Sequence, residues 1–241
     1  MCFNATTSLV TFSISLFCFL SLVYYGIKYN NNYDILAGII TLLIGNMQLV
    51  EYFLWKNQNC EANGKNQFFS LLIIVTLFLQ GIIGSISRVW LFGSGFGATK
   101  YTSSFLSFLF FIGVLYTLFT LYQLNWLNQH KLCSKPSETS CRLVWAPHSL
   151  MANDIYGLVL FVINVMFYFF LGLFSFGLFD GGYLTGMKKY PLRYSILPVS
   201  FFIALLYSYV QTENVIDSAD IFGSTWCFMA VAFGVVSLLH V

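Results

Sequence analysis

Seven apolar stretches dominate the chain, at about 7–27, 33–55, 68–91, 102–122, 153–176, 194–211 and 219–239. Each is long enough to cross the roughly 30 Å hydrocarbon layer as a helix, which takes about 20 residues. The runs are continuous rather than alternating, so helices that satisfy their own backbone hydrogen bonds are predicted in preference to a closed barrel. Pro198 lies inside the sixth run and removes a backbone donor, which predicts a kink. The longest connection, about 123–152, is too short for a second domain. The expected fold is an all-α polytopic transmembrane bundle of about seven helices, forming a single domain over 1–241.

An odd number of spans puts the termini on opposite faces. One face, A, holds the N-terminus and the connections 56–67, 123–152 and 212–218; the other, B, holds 28–32, 92–101, 177–193 and the C-terminus. Face B gathers Lys28, Arg88, Lys100, Lys188, Lys189 and Arg193 in short loops with few acids, so it is expected to be cytoplasmic and the N-terminus outside. Cysteine usage points the same way. Cys2, Cys60, Cys133 and Cys141 fall on face A, where an oxidising compartment permits disulfides. Cys133 with Cys141 and Cys2 with Cys60 are the pairs considered, and the connectivity stays open. Asn4-Ala5-Thr6 is a glycosylation sequon on the same face. The first run lacks a basic leader and is read as a retained helix rather than a cleaved signal.

Composition narrows the function classes. Only 8% of the 241 residues are charged and 58% are hydrophobic, which leaves too little polar surface for a soluble protein. Phe occurs 27 times against 11 Lys plus Arg, and the formal charge is +2, so membrane lipids are the expected partners and nucleic acid is not.

The informative residues are polar groups inside the spans. Gln48, Glu51 and Trp55 share one helical stripe of the second span, and a carboxylate about one turn inside the membrane boundary is costly unless it is protonated, paired or wet. Glu51 is either a proton- or cation-binding group or a hydrogen-bonded lock between helices. Asp154 opens the fifth span and Asp220 the seventh. With Glu51 they either line a vestibule on face A or cap helices, where an acid in the first turn is favoured. Gln80, beside Gly81 and Gly84, and Asn164 suggest interhelical hydrogen bonds at packing faces, with a polar pathway as the sharper reading. Arg88 is expected to snorkel to the headgroups beside Trp90, at the opposite end of the membrane from Glu51.

Enzyme signatures are sparse. His130, His148 and His240 are dispersed, which is a poor start for a metal site, and no cofactor or metal is expected. The seventh span has no lysine for a retinal Schiff base. Gly93-Ser94-Gly95-Phe96-Gly97 lacks the lysine and hydroxyl of a phosphate loop and is read as a turn, as is the glycine-rich stretch around Asp180. A membrane hydrolase would need His148 or Cys2 beside an acid.

The opening Met1-Cys2-Phe3-Asn4-Ala5, the segment Gln48-Leu49-Val50-Glu51 through Trp55, and the late Gly223-Ser224-Thr225-Trp226-Cys227-Phe228 resemble an uncharacterised family of small polytopic membrane proteins. Its members begin Met-Cys-Phe-Ser-Ala and carry Gln-x-x-Glu-x-x-x-Trp in the second span; Asn4 departs from that pattern. The resemblance implies a shared fold and weight on Cys2, Gln48, Glu51, Trp55 and Trp226, and it implies no activity.

The function expected from the residues is a channel or transporter for protons or another small cation. The alternatives are a receptor-like or structural membrane protein, or a lipid-modifying enzyme.

Overall fold

The computed structural model describes residues 4–60, 64–93, 101–137, 142–179, 182–212 and 215–239, with the side chains of 152, 153 and 211–220 outside the description. Helices α1 (Ala5–Lys28), α2 (Asn32–Lys56), α3 (Lys65–Gly93) and α4 (Ser103–Asn128) come first. A two-strand hairpin follows, β1 (Lys135–Pro136) and β2 (Leu143–Val144). Then come α5 (Ala146–Asn153), α6 (Ile155–Ser175), α7 (Gly182–Lys189), α8 (Pro191–Thr212), α9 (Val215–Ala230) and α10 (Ala232–Leu238). Seven segments are long and apolar enough to span a membrane: α1 to α4, α6, most of α8, and α9 with α10 taken together over Ile221–Leu238. The chain is a multi-pass helical membrane protein.

The spans meet the expectation, with three refinements. The fifth begins at Ile155, because the chain first makes the separate helix α5 and turns at Asp154. The sixth begins at Pro191, which suits a first helical position. The seventh breaks at Val231, where helical bonding is interrupted between α9 and α10.

Helices α1 and α2 form the tightest pair. Lipid is as apolar as a leucine side chain, so spanning helices associate through close packing rather than hydrophobic burial. Ser8, Thr11, Ser15, Cys18 and Leu22 form the buried stripe of α1. It faces α2 where Gly38 and Gly45 leave no room for a larger side chain. Asn30, at φ 52°, makes the reversal between them, and Asn31 accepts the Tyr33 amide as the cap of α2. At the other end of α1, Asn4 Oδ1 accepts the Thr7 amide at 2.9 Å. The proposed glycosylation residue is thus the exposed cap of a spanning helix.

Helix α8 runs through Pro198 as one element. A proline leaves the carbonyl four residues earlier without its amide partner. That carbonyl belongs to Tyr194, and the hydroxyl of Tyr183 on α7 donates to it at 3.2 Å. The short helix α7 is therefore fastened to α8 at the place the proline leaves open.

On face A, the connections α2–α3 and α4–α5 form one cap. Cys60 and Cys133 are joined by a disulfide, which corrects both pairings considered from sequence, Cys133 with Cys141 and Cys2 with Cys60. Cys2 and Cys141 lie outside the described residues. Beneath the disulfide, the buried Asn66 donates to the carbonyls of Asn57 and Ser134, and its Oδ1 accepts the Ser134 amide. Ser134 Oγ also contacts Ser70 Oγ and accepts the amide of Ala146. A pairing between residues this far apart in sequence left no local signal.

Candidate functional site

The cap places two residues over the second span. Trp145, just before α5, is buried, and its indole donates to Glu51 Oε1 at 3.1 Å; Gln48 Nε2 donates to Oε2 at 3.1 Å. The Ser224 hydroxyl on α9 is a further hydrogen-bond donor to this carboxylate, and the charge of Arg142 acts on it. Arg142 is buried beneath the cap, its guanidinium 5.7 Å from the Tyr207 ring centre and 5.4 Å from that of Phe228. Burial pulls Arg142 down to about 10, while the Glu51 carboxylate and Tyr207 hold it up, so it is a cation at neutral pH. Gly223 makes room for this arrangement: a Cβ there would lie 2.5 Å from the Trp145 ring.

The two motifs singled out in the sequence thus converge. Gln48 and Glu51 come from one; Gly223, Ser224 and Phe228 come from the other. Sequence reading placed Arg142 only in a loop and did not connect it with Glu51, because the loop folds back into the bundle.

An ion pair closes the other end of α2. Arg193 Nη2 lies 2.7 Å from Asp34 Oδ1, both side chains are buried, and the same nitrogen donates to the Ser237 carbonyl at 3.0 Å. Asn31 donates to Asp34 Oδ2, and the guanidinium stacks 4.4 Å from the Tyr190 ring centre. Asp34, Thr41 and Gln48 follow one another at seven-residue intervals on α2, and Asp34 to Glu51 spans about 25 Å of helix rise. Asp34 escaped the sequence reading because it sits in the first turn, where an acid reads as a cap.

The other expected residues are spread more widely. Gln80 donates to the Leu43 carbonyl and accepts from the Tyr168 hydroxyl at 2.9 Å. Asn164 donates to Gln123 Oε1, whose amide faces Met151 Sδ. Asp154 is exposed and caps α6 by accepting the Gly157 amide at 2.8 Å, so it does not join Glu51 in a vestibule. The side chain of Asp220 lies outside the described residues. Arg88 does not snorkel. It is buried, its Nε donates to the Tyr101 hydroxyl, and it lies 4.3 Å from the Phe92 ring centre; Trp90 alone is exposed. Gly177, at φ 78° where only glycine is comfortable, lets the backbone turn against Arg88.

His148 is partly buried between Trp145 and Phe161, and burial pulls it down to about 4, with no described carboxylate to oppose the shift. His130 packs against Trp126 with its ring tilted; His240 lies outside the described residues, as do 94–100. No cluster of three metal-binding side chains occurs among the described residues.

Between the Glu51 cluster and the Arg193–Asp34 pair lies a cavity of about 260 Å³, bounded by α2, α3, α6, α7, α8 and α9. Its wall is mostly aliphatic and aromatic. Leu173, Leu178 and Phe202, on the outer faces of α6, the following turn and α8, are exposed, so the cavity opens sideways toward lipid. Its deep end is closed by Phe201 and Trp226, whose rings are in contact, while Phe169 packs on Phe201 from the exposed side. Polar groups are few: Gln80 and Tyr168 midway, and Ser175, Arg193, Tyr183 and Tyr194 toward face B.

No protein-family model, no characterised protein and no solved structure matches the chain. The fold and site define a seven-span helical membrane protein with a buried polar core.

Proposed function

We propose that this protein is a membrane-embedded binding protein, of the receptor or carrier class, for an apolar or amphipathic molecule that reaches it through the bilayer. The observation that carries this reading is the side-opening cavity between α6 and α8. It combines apolar walls with a few convergent polar groups, the usual make-up of a small-molecule site. The indole N–H of Trp226 supports it: buried at the deep end, it finds no partner among the described residues, and such donors are ordinarily satisfied.

The small-cation reading has less behind it. Glu51, its best residue, is occupied by three hydrogen-bond donors and a guanidinium, and Asp154 faces outward. Glu51 then serves to hold α2, the cap and α9 together. We further propose that face A is the non-cytoplasmic side; the Cys60–Cys133 disulfide supports that orientation. Kinship with the uncharacterised family sharing the Gln-x-x-Glu-x-x-x-Trp segment is likewise a proposal.

The test uses Gly172. This residue lines the cavity, and a Cβ built on it meets nothing within 4 Å. Gly172→Leu therefore fills the cavity without disturbing the helix. Native mass spectrometry of protein extracted from membranes is expected to show a co-purifying small molecule on the wild type and at least tenfold less on the variant. Equal occupancy on both, in folded protein, would remove the cavity reading.

A further inference from the structure

The cavity has a polarity, and Arg193 sets it. Of its three guanidinium nitrogens, only Nη2 is used among the described residues, by Asp34 and the Ser237 carbonyl. Nε and Nη1 are buried and find no partner among the described residues, although the side chain forms part of the cavity wall. A guanidinium has five N–H donors and no acceptor, so the complement of its unused hydrogens is an oxygen carrying negative charge. Around it lie Tyr183 and Tyr194, and Lys188 and Lys189 stand exposed at the end of α7, where anionic headgroups gather. Away from Arg193 the cavity turns apolar through Leu197, Phe201 and Phe169.

We propose that the ligand is a single-chain amphiphile with an anionic head, bound with the head on Nε and Nη1 of Arg193 at the face B end and the chain running toward Trp226. This deepens the binding reading above and rests on it. Both carboxylate and phosphate heads satisfy the same chemistry. The length of the site follows from α8: Arg193 and Phe201, the residue that packs on Trp226, are separated by about 12 Å of helix rise. An extended alkyl chain of medium length covers that distance between the head and Trp226. The head leaves the Asp34 pair in place, because it takes nitrogens that Asp34 does not.

Bromine quenches tryptophan at short range, so 9,10-dibromostearate places its quencher at the predicted depth. Full-length protein in neutral detergent is titrated with dibromostearate, its methyl ester, and lysophospholipids carrying the same brominated chain on a phosphate or a phosphocholine head. The expected result is saturable quenching by the acid, lost in Trp226→Phe and in Gly172→Leu, and at least tenfold weaker for the ester and the phosphocholine lipid. Arg193→Gln should abolish the preference for the acid, and Arg193→Lys should keep part of it. The monoester phosphate lipid binding as well as the acid would support the shared anionic head; its failure to bind beside an acid that does would support a carboxylate alone. Equal quenching by acid and ester in the wild type overturns the headgroup assignment and leaves the cavity reading standing. No chain quenching Trp226 in folded wild type, with Gly172→Leu indistinguishable from it, overturns both.

Discussion

Replacing Glu51 by glutamine removes the charge facing Arg142 and little else. The new side chain keeps an oxygen for the Trp145 indole. Gln48, whose own Oε1 finds no partner among the described residues, can turn its amide to accept from the new N–H. What remains is a guanidinium buried against Tyr207 and Phe228 without its counter-charge. Removing one member of a buried ion pair in direct contact costs about 3–5 kcal/mol, whereas replacing both by neutral groups of similar size is often close to neutral. Glu51 acts on Arg142 through its charge, and Arg142 retains Tyr207, so a smaller loss applies: about 1–2 kcal/mol for Glu51→Gln and a similar one for Arg142→Met. The double variant should lose no more than either single one, a coupling of about 1–2 kcal/mol, beyond the error of additivity. For a chain of this size each kcal/mol shifts the melting temperature by about 2–4 °C, so each single variant should melt about 2–8 °C lower. Thermal unfolding in detergent, followed by intrinsic fluorescence and circular dichroism, reads all four corners of the cycle. A double variant that loses the sum of the two single losses would refute the pairing.

Three further outcomes are expected. The partly buried His148 is held neutral, so the unfolded chain binds a proton that the folded one refuses between about pH 6.5 and 4. Stability should fall as pH drops through that window by at most about 3 kcal/mol, less in proportion to the water reaching the ring, and His148→Phe should flatten melting temperature against pH; an unchanged slope would count against the assignment. Peptide mapping without reductant should recover Cys60 linked to Cys133, and reduction should cost at most about 4 kcal/mol for a closed loop with a sequence separation of 73; a Cys133–Cys141 peptide would contradict the cap. Proton flux into proteoliposomes should be the same for wild type and Glu51→Gln; a flux that collapses in the folded variant would put Glu51 back in an ion path.

What the sequence disclosed follows from which forces act locally. Spans are set by the length of apolar runs, and all seven could be read from them. The stripe holding Gln48 and Glu51 is a property of one helix, so its direction was also readable. The break at Val231 and the separate helix α5 carry no composition signal, because they depend on what packs against them. Partners across the bundle were invisible for the same reason. Arg142 lies 91 positions from Glu51, and Arg193 lies 159 from Asp34. Arg88 was misread because a lone arginine near a span end ordinarily reaches for water; here Tyr101 and Phe92 give it an interior site instead.

A carboxylate inside a membrane bundle is a sound reason to suspect function, since its cost must be met somehow. In this protein both buried carboxylates on α2 meet that cost inside the fold. Arg142 acts on Glu51 from the cap, and Arg193 binds Asp34 from α8, so each pair fastens α2 to a distant part of the chain. An acid whose charge is already matched has little left to offer a passing cation. Along the cavity wall, the unspent chemistry among the described residues lies with donors: two nitrogens of Arg193 and the indole of Trp226, at opposite ends of an apolar cavity that opens to lipid. Leaving a buried donor unmet costs about 1–3 kcal/mol, more for a charged group, and one ligand with oxygen at its head would recover that cost at Arg193 while its chain filled the space beside Trp226. The feature that separates a binding site from a structural lock is therefore the hydrogen-bonding capacity left over after the charges are matched, and Arg193 and Trp226 bring part of that capacity to the cavity wall.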